Sequence, residues 1–519
     1  MNIVNKLKLS NEVTLYLLLY ILAYGLILLN LDFIYWDDWV LVNQTKEDLV
    51  GIFEVAGNPL TGYYHYVLLE FFGIYAYKIL TFATYFVSGL MVNNILKTIK
   101  NISTLERITL VSVFLLFPSN FARIALIDSP YAFYNMVFFI AFYFFSVNIA
   151  NNDLKYRVIS LVLFFLSFQI NSLLVFYLVI FIYFIYQIWK SNSKQYIKKI
   201  FQYTDFWILP FIFYIFKTIY LVPQDSHMEY YAITKAKIIS SFFYSCKAII
   251  KFYMHFFELL PSHVYVVILI LVFIAIIYIV KKLNLTIIEK NKPSRMRSIV
   301  FFSLGIFFLY IGIYPYLVVN TSPSYYDWDS RHFLLFPLGL SFMIMSIFNL
   351  FYNTRVKQIM LVGLASVFIA YNISAYYNYI VDGLKQDSIL QNMKGNEVVE
   401  NNTAFIIADR TKKYDALERT YRFYEYGGML DQIYGGQDKF ATQNTRLIQH
   451  SVLKNYLVSG FKLKNHIIQD KYIEIIILHG GHELNINNVI KLLFLKIFNN
   501  KKYARSVKNI VKLESISND

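Results

Sequence analysis

Residues 13–30 read VTLYLLLYILAYGLILLN, and just beyond them stands Asp32-Phe33-Ile34-Tyr35-Trp36-Asp37-Asp38-Trp39. At about 1.5 Å of rise per helical residue, an apolar run of this length matches the roughly 30 Å hydrocarbon core of a bilayer. Asp37 and Asp38 therefore emerge at a membrane face, and Trp36 and Trp39 suit the headgroup layer. The run is too long for a signal-peptide core and no A-x-A cleavage pattern follows it, so it is expected to stay as an anchor.

The whole chain agrees with that stretch. Its 519 residues are 57% hydrophobic, 19% aromatic and only 16% charged, with a mean hydropathy of +0.47; this is the composition of an integral membrane protein. The net charge of +15 does not point to nucleic acid, because the Lys and Arg residues sit mainly in short clusters between apolar runs. The single cysteine, Cys246, excludes an intramolecular disulfide, a CxxC pair and a cysteine-based zinc site.

Apolar windows predict about eleven spans, near 13–30, 74–96, 107–121, 131–149, 157–171, 173–189, 204–221, 263–280, 298–318, 333–352 and 357–377. The stretch 157–189 divides at Gln169-Ile170-Asn171-Ser172, since a single helix there would be about 50 Å long. With that count the basic clusters at 6–8, 97–107, 155–157, 190–199, 281–297 and 355–357 share one side, which the positive-inside rule makes cytoplasmic. The acidic stretch, the turn Arg123–Asp128, the loops 222–262 and 319–332, and everything after about Asn378 face the other compartment. In the first outer loop, 31–73, Lys46–Gly73 reads as two interfacial helices punctuated by Gly57-Asn58-Pro59, and 222–262 has a similar interleaved character. From 378 to 519 the hydropathy falls. Ala404–Ala408 and Tyr472–Leu478 read as buried strands beside helical stretches such as Ile490–Phe498, which predicts a small α/β domain. The expected fold is thus an all-α polytopic membrane protein, residues 1–377, carrying a C-terminal α/β domain.

Several residues have chemistry to offer. Asp37 and Asp38 suit a general base, or together a divalent cation such as Mg or Mn. Arg331-His332 precedes the apolar run Phe333-Leu334-Leu335-Phe336-Pro337, and a guanidinium fork at the mouth of a span is shaped for a phosphate oxygen pair; its plainer alternative is a snorkelling cation paired with Asp329. Lys217 is a second candidate phosphate contact near the outer end of its span. Asp128 offers a second acid to the same pocket, with a local Arg123–Asp128 pair as the simpler expectation. His65, His227, His255 and His263 lack metal-ligand spacing. Gly427-Gly428, Gly435-Gly436 and Gly480-Gly481 read as turns.

Trp36-Asp37-Asp38-Trp39, Gly57-Asn58-Pro59 and Ser330-Arg331-His332-Phe333-Leu334-Leu335-Phe336-Pro337 together resemble the GT-C superfamily of membrane glycosyltransferases, over the region up to about residue 377. The resemblance implies transfer of a sugar from a polyprenyl-phosphate carrier to a cell-envelope glycan, lipid or protein acceptor at the outer membrane face. Asp37 or Asp38 takes the role of base or metal ligand, and Arg331 or His332 binds the carrier phosphate. Many relatives have arginine where this chain has Asn58. The alternatives are a polymerase of lipid-linked repeat units and a flippase or transporter of lipid-linked oligosaccharide.

Overall fold

The computed structural model describes residues 10–42, 44–99, 101–190, 201–224, 233–258, 263–283, 294–319, 321, 323–324, 328–435, 439–443 and 472–517. The basic cluster at 6–8, most of those at 190–199 and 281–297, parts of the loops 222–262 and 319–332, His227 and Gly436 lie outside them.

Among the described residues seven helices are long and apolar enough to cross a membrane: Asn11–Leu29, Pro59–Thr98, Leu126–Asn151, Asn171–Trp189, Tyr265–Lys282, Arg295–Val318 and Thr354–Met393. The other four apolar windows also fall on helices, but on shorter ones. In chain order the helices are α1 (Asn11–Tyr24, extended by a 3-10 turn to Leu29), α2 (Asp38–Leu41), α3 (Lys46–Val55), α4 (Pro59–Thr98), α5 (Thr104–Leu116), α6 (Ser129–Asn151), α7 (Leu154–Ser167), α8 (Asn171–Phe176) and α9 (Leu178–Lys190). There follow α10 (Thr204–Tyr220), α11 (Lys235–Glu258), α12 (His263–Lys282), α13 (Arg295–Val318), α14 (Phe336–Phe348) and α15 (Thr354–Met393). In lipid a backbone must satisfy its own hydrogen bonds, so apolar runs become helices whatever their length. The division at 157–189 is present, between Ser167 and Asn171.

Local chemistry sets the ends. Ser103 and Glu106 form a reciprocal capping box at the start of α5. Pro59 occupies the first turn of α4, where its missing N–H is no loss. Within α4, Gly73 adopts φ 70°, ψ −178°, which splits the element into Pro59–Phe72 and Ile74–Thr98. The two helices expected between Lys46 and Gly73 are therefore α3 and the first part of α4. The loop 222–262 contributes α11. In the bundle α4 packs on α6, α6 on α7 and α13 on α14, while α1 and α12 lie against α15.

The expected boundary at 377/378 does not break the chain: α15 runs on as one helix to Met393. Hydropathy falls there because the helix leaves its apolar surroundings, yet Asp382, Lys385, Gln386 and Ser388 are buried against the C-terminal segment instead. That segment comprises α16 (Glu397–Asn401), β1 (Ala404–Asp409), α17 (Phe423–Tyr434), β2 (Phe440–Thr442), β3 (Ile473–His479), α18 (Ile486–Phe498), α19 (Asn500–Val507) and β4 (Val511–Ser517). The sheet order is β2-β1-β3-β4, with β1 parallel to both its neighbours and β4 antiparallel to β3. Gly427-Gly428 is not a turn but lies inside α17, whereas Gly435 does end that helix in the left-handed conformation.

Candidate functional site

The end of the first apolar helix is pinned by Lys78 of α4, whose Nζ donates to Asn30 Oδ1 at 2.7 Å and to the carbonyl of Phe33. The chain then turns sharply. Trp36 adopts φ 51°, a conformation that costs an L-residue roughly 1–2 kcal/mol and persists only when its surroundings hold it. Asp38 is fully buried, and its two carboxyl oxygens accept from Tyr35 N–H and Ile127 N–H, each at 3.0 Å. It thereby ties the acidic loop to the Leu126–Asp128 turn. Burial pushes its carboxyl up to about 7, with these backbone donors and Lys78 acting in the opposite direction. Asp37 is half-buried and accepts a hydrogen bond from the Tyr424 hydroxyl of α17.

Arg331 lies on a 3-10 turn, Trp328–Phe333. Ser330 fastens that turn by accepting Ala122 N–H at 2.9 Å. The guanidinium stacks 4.1 Å from the Trp328 ring centre, and Trp328 lies 5.7 Å from Trp36. Asp37, Asp128 and Asp329 are within electrostatic reach of Arg331, and Asp37 and Asp38 within reach of Asp128. The early acid pair and the late arginine, about 290 residues apart in sequence, thus share one neighbourhood. Two of its members are left unsatisfied: Arg331 Nη1 and both carboxyl oxygens of Asp128 are buried without a hydrogen-bond partner among the described residues. Asp128 stands at the N-cap of α6 but accepts no capping bond.

Other expectations are corrected. Arg123 does not pair with Asp128; it is buried between Tyr24 and Tyr85, 4.5 and 4.2 Å from their ring centres, and donates from Nε to Asn120 O at 2.7 Å. Arg331 stacks on Trp328 with Asp329 still within electrostatic reach. His332 is buried 4.5 Å from the Tyr316 ring; burial first, then the neighbouring Arg331, hold its pKa well below the ordinary value. Lys217 bonds Asn171 Oδ1 at 2.5 Å, at the start of α8. Each Asp38 oxygen accepts one backbone N–H, and among the described residues no group of three His, Cys, Asp or Glu side chains is placed to hold a cation.

A second cluster, which sequence reasoning missed, lies on the other side of the acidic loop. Asp382 of α15 accepts from Arg419 Nε at 2.6 Å, Tyr421 OH at 2.7 Å, Gln386 Nε2 at 2.9 Å and Ala416 N at 2.9 Å. Arg419 Nη1 donates to Glu425 Oε2 at 2.7 Å, and that oxygen also accepts Trp36 N–H at 3.3 Å. Gln386 Oε1 accepts from Trp39 Nε1 at 3.1 Å. Burial opposes the Arg419 charge, but Asp382 and Glu425 together hold its pKa well above the ordinary value. At Gly428 a Cβ would fall 2.6 Å from Trp39 Cβ, so α17 reaches the loop only because no side chain is there. The strained Trp36 is held by this network. The one available sequence signal was Tyr379, Asp382 and Gln386 on one helical face.

No family model and no curated protein matches this chain.

Proposed function

We propose that this chain is a GT-C-like membrane glycosyltransferase that moves a sugar from a polyprenyl-phosphate carrier to a glycan, lipid or protein acceptor of the cell envelope, at the extracytoplasmic face of the plasma membrane. The N-terminus is then cytoplasmic, the chain crosses about eleven times, and the C-terminal α/β unit lies outside. The supporting observation is the unsatisfied pair at the site: the Arg331 guanidinium, flat on Trp328 with Nη1 unpartnered among the described residues, opposite acids that include the half-buried Asp37.

The chemistry suits these groups. Asp37 takes the proton from the acceptor hydroxyl, whose oxygen forms the new bond to the anomeric carbon. The bond from that carbon to the phosphate oxygen breaks, and the electron pair leaves with the polyprenyl phosphate. Arg331 stabilises the negative charge that develops there. Asp38, with both oxygens engaged, positions its neighbour instead of acting as base.

Membranes supplied with radiolabelled polyprenyl-phosphate sugar test the proposal. Asp37→Asn is expected to lower turnover by about 10²- to 10⁴-fold, the usual contribution of a general base. Arg331→Lys, which loses the bidentate fork, is expected to raise the donor KM. Full transfer by an Asp37→Asn protein present at normal levels overturns the assignment. Joining of intact repeat units identifies a polymerase, and movement of the donor across the bilayer with its sugar bond intact identifies a flippase.

A further inference from the structure

Helix α18 has two apolar faces, one packed and one exposed. Val489 and Leu492 are buried beneath it, while Ile486, Ile490, Phe494, Ile497 and Phe498 stand exposed on the opposite arc, Phe494 at 60% and Phe498 at 69%. At about 100° per residue these five fall within one stripe roughly 120° wide. The position of α18 shows what lies beside that stripe. Lys496 Nζ on its inner side bonds Asp32 Oδ2 at 2.8 Å and Asp387 Oδ2 at 2.9 Å, and sits 3.6 Å from the centre of the Phe33 ring. Asp32 follows Leu29, the last residue of the first membrane-crossing helix, by only three residues, and Leu29 is itself exposed. The helix is thus tethered at the level where α1 leaves the bilayer.

A second element at that level carries the same pattern. Lys78, five residues beyond the Gly73 bend, bonds Asn30 and Phe33, and the preceding part of α4 exposes Leu60, Tyr63, Val67 and Phe71 in a stripe with helical spacing. Helices α18 and α4 thus both reach the chain just beyond α1, Lys496 through Asp32 and Phe33 and Lys78 through Asn30 and Phe33. Exposed Lys491, Lys501 and Lys502 flank the α18 stripe and suit anionic headgroups.

We propose that α18 is a lipid-docking helix: its Ile486–Phe498 stripe dips into the leaflet on the acid-pair side, with the flanking lysines on anionic lipid phosphates, and so anchors the C-terminal unit to the bilayer. This rests only on the membrane-crossing helices and is independent of sugar transfer.

The test uses the full-length protein in nanodiscs of phosphatidylcholine and phosphatidylglycerol. Cys246→Ser removes the sole cysteine, and an environment-sensitive fluorophore is attached at Phe494→Cys or, as control on another face, at Asn488→Cys. Lipids spin-labelled near the headgroup are expected to quench the label at 494 several-fold more than that at 488, and less strongly when phosphatidylglycerol is omitted. Equal quenching at both positions overturns the proposal. So does an apolar emission spectrum at 494 that lipid quenchers leave unchanged, because protein then covers the face.

Discussion

Two charge clusters meet at the loop Tyr35–Trp39, and they are built to opposite rules. On one side Asp382, Arg419 and Glu425 are completely buried or nearly so, and every charge has its counter-charge and hydrogen bonds. On the other side Arg331 and Asp128 bury polar atoms that have no partner among the described residues. A buried polar group without a partner costs about 1–3 kcal/mol. On the proposed function the paired cluster is the buttress and the unpaired cluster is the working face. The strained Trp36 stands between them, with its N–H on Glu425 and its ring near Trp328.

Breaking the buttress has the largest expected effect on stability. Arg419→Met leaves Asp382 and Glu425 buried without a counter-charge, a change that typically costs about 3–5 kcal/mol. It is expected to lower the Tm in detergent sharply and to release the acidic loop. Adding Asp382→Leu and Glu425→Gln to Arg419→Met is expected to recover part of the loss, since no lone charge then remains. An unchanged Tm for Arg419→Met alone refutes the division into buttress and working face.

The same substitution logic on the other side predicts the opposite balance. Arg331→Gln removes the stacking on Trp328, worth about 1 kcal/mol, and an Nη1 that has no hydrogen-bond partner among the described residues, so Tm is expected to move little while sugar transfer falls. Asp128→Asn exchanges an unpartnered buried carboxyl for an uncharged amide of similar size, and its Tm is expected to stay at or above that of wild type. A large Tm loss in either variant shows that the pair serves stability after all.

The contrast also explains what the sequence could reveal. Every apolar window falls on a helix because the reason is local: a run such as Val13–Asn30 must satisfy its own backbone in lipid. The division at Gln169–Ser172 and the punctuation at Gly57-Asn58-Pro59 are local as well. Arg331 was legible as a cation at the mouth of a span, but its stack on Trp328 was not. Arg123 and Asp128, five residues apart, read as a pair, yet the extended Ala125 between two 3-10 turns sends them in different directions. The buttress was invisible for a different reason: Asp382 and Arg419 are 37 residues apart, one on the long helix α15 and the other on the chain before α17, and nothing local announces their pairing.

The smallest expected effect concerns Asp38, which belongs to both sides because it joins the acidic loop to the Leu126–Asp128 turn. Its carboxyl is raised by burial from 3.8 to about 7. Between those values the folded protein keeps a proton that the unfolded chain has released, so stability is fully present below about pH 4, declines as pH rises, and levels off above about pH 7. The slope from one such group is on the order of 1 kcal/mol per pH unit. Asp415, also pushed up to about 7 by burial with Lys385 opposing, contributes in the same direction. The informative quantity is therefore the difference between wild type and Asp38→Asn in Tm measured from pH 4 to 8. The variant is expected to start lower at pH 4, where one backbone donor is left without its acceptor, and to close that gap by pH 7, where wild type bears the cost of ionising a buried acid. Parallel pH curves for the two proteins place Asp38 in a more hydrated setting and move it, with Asp37, wholly to the working side of the loop.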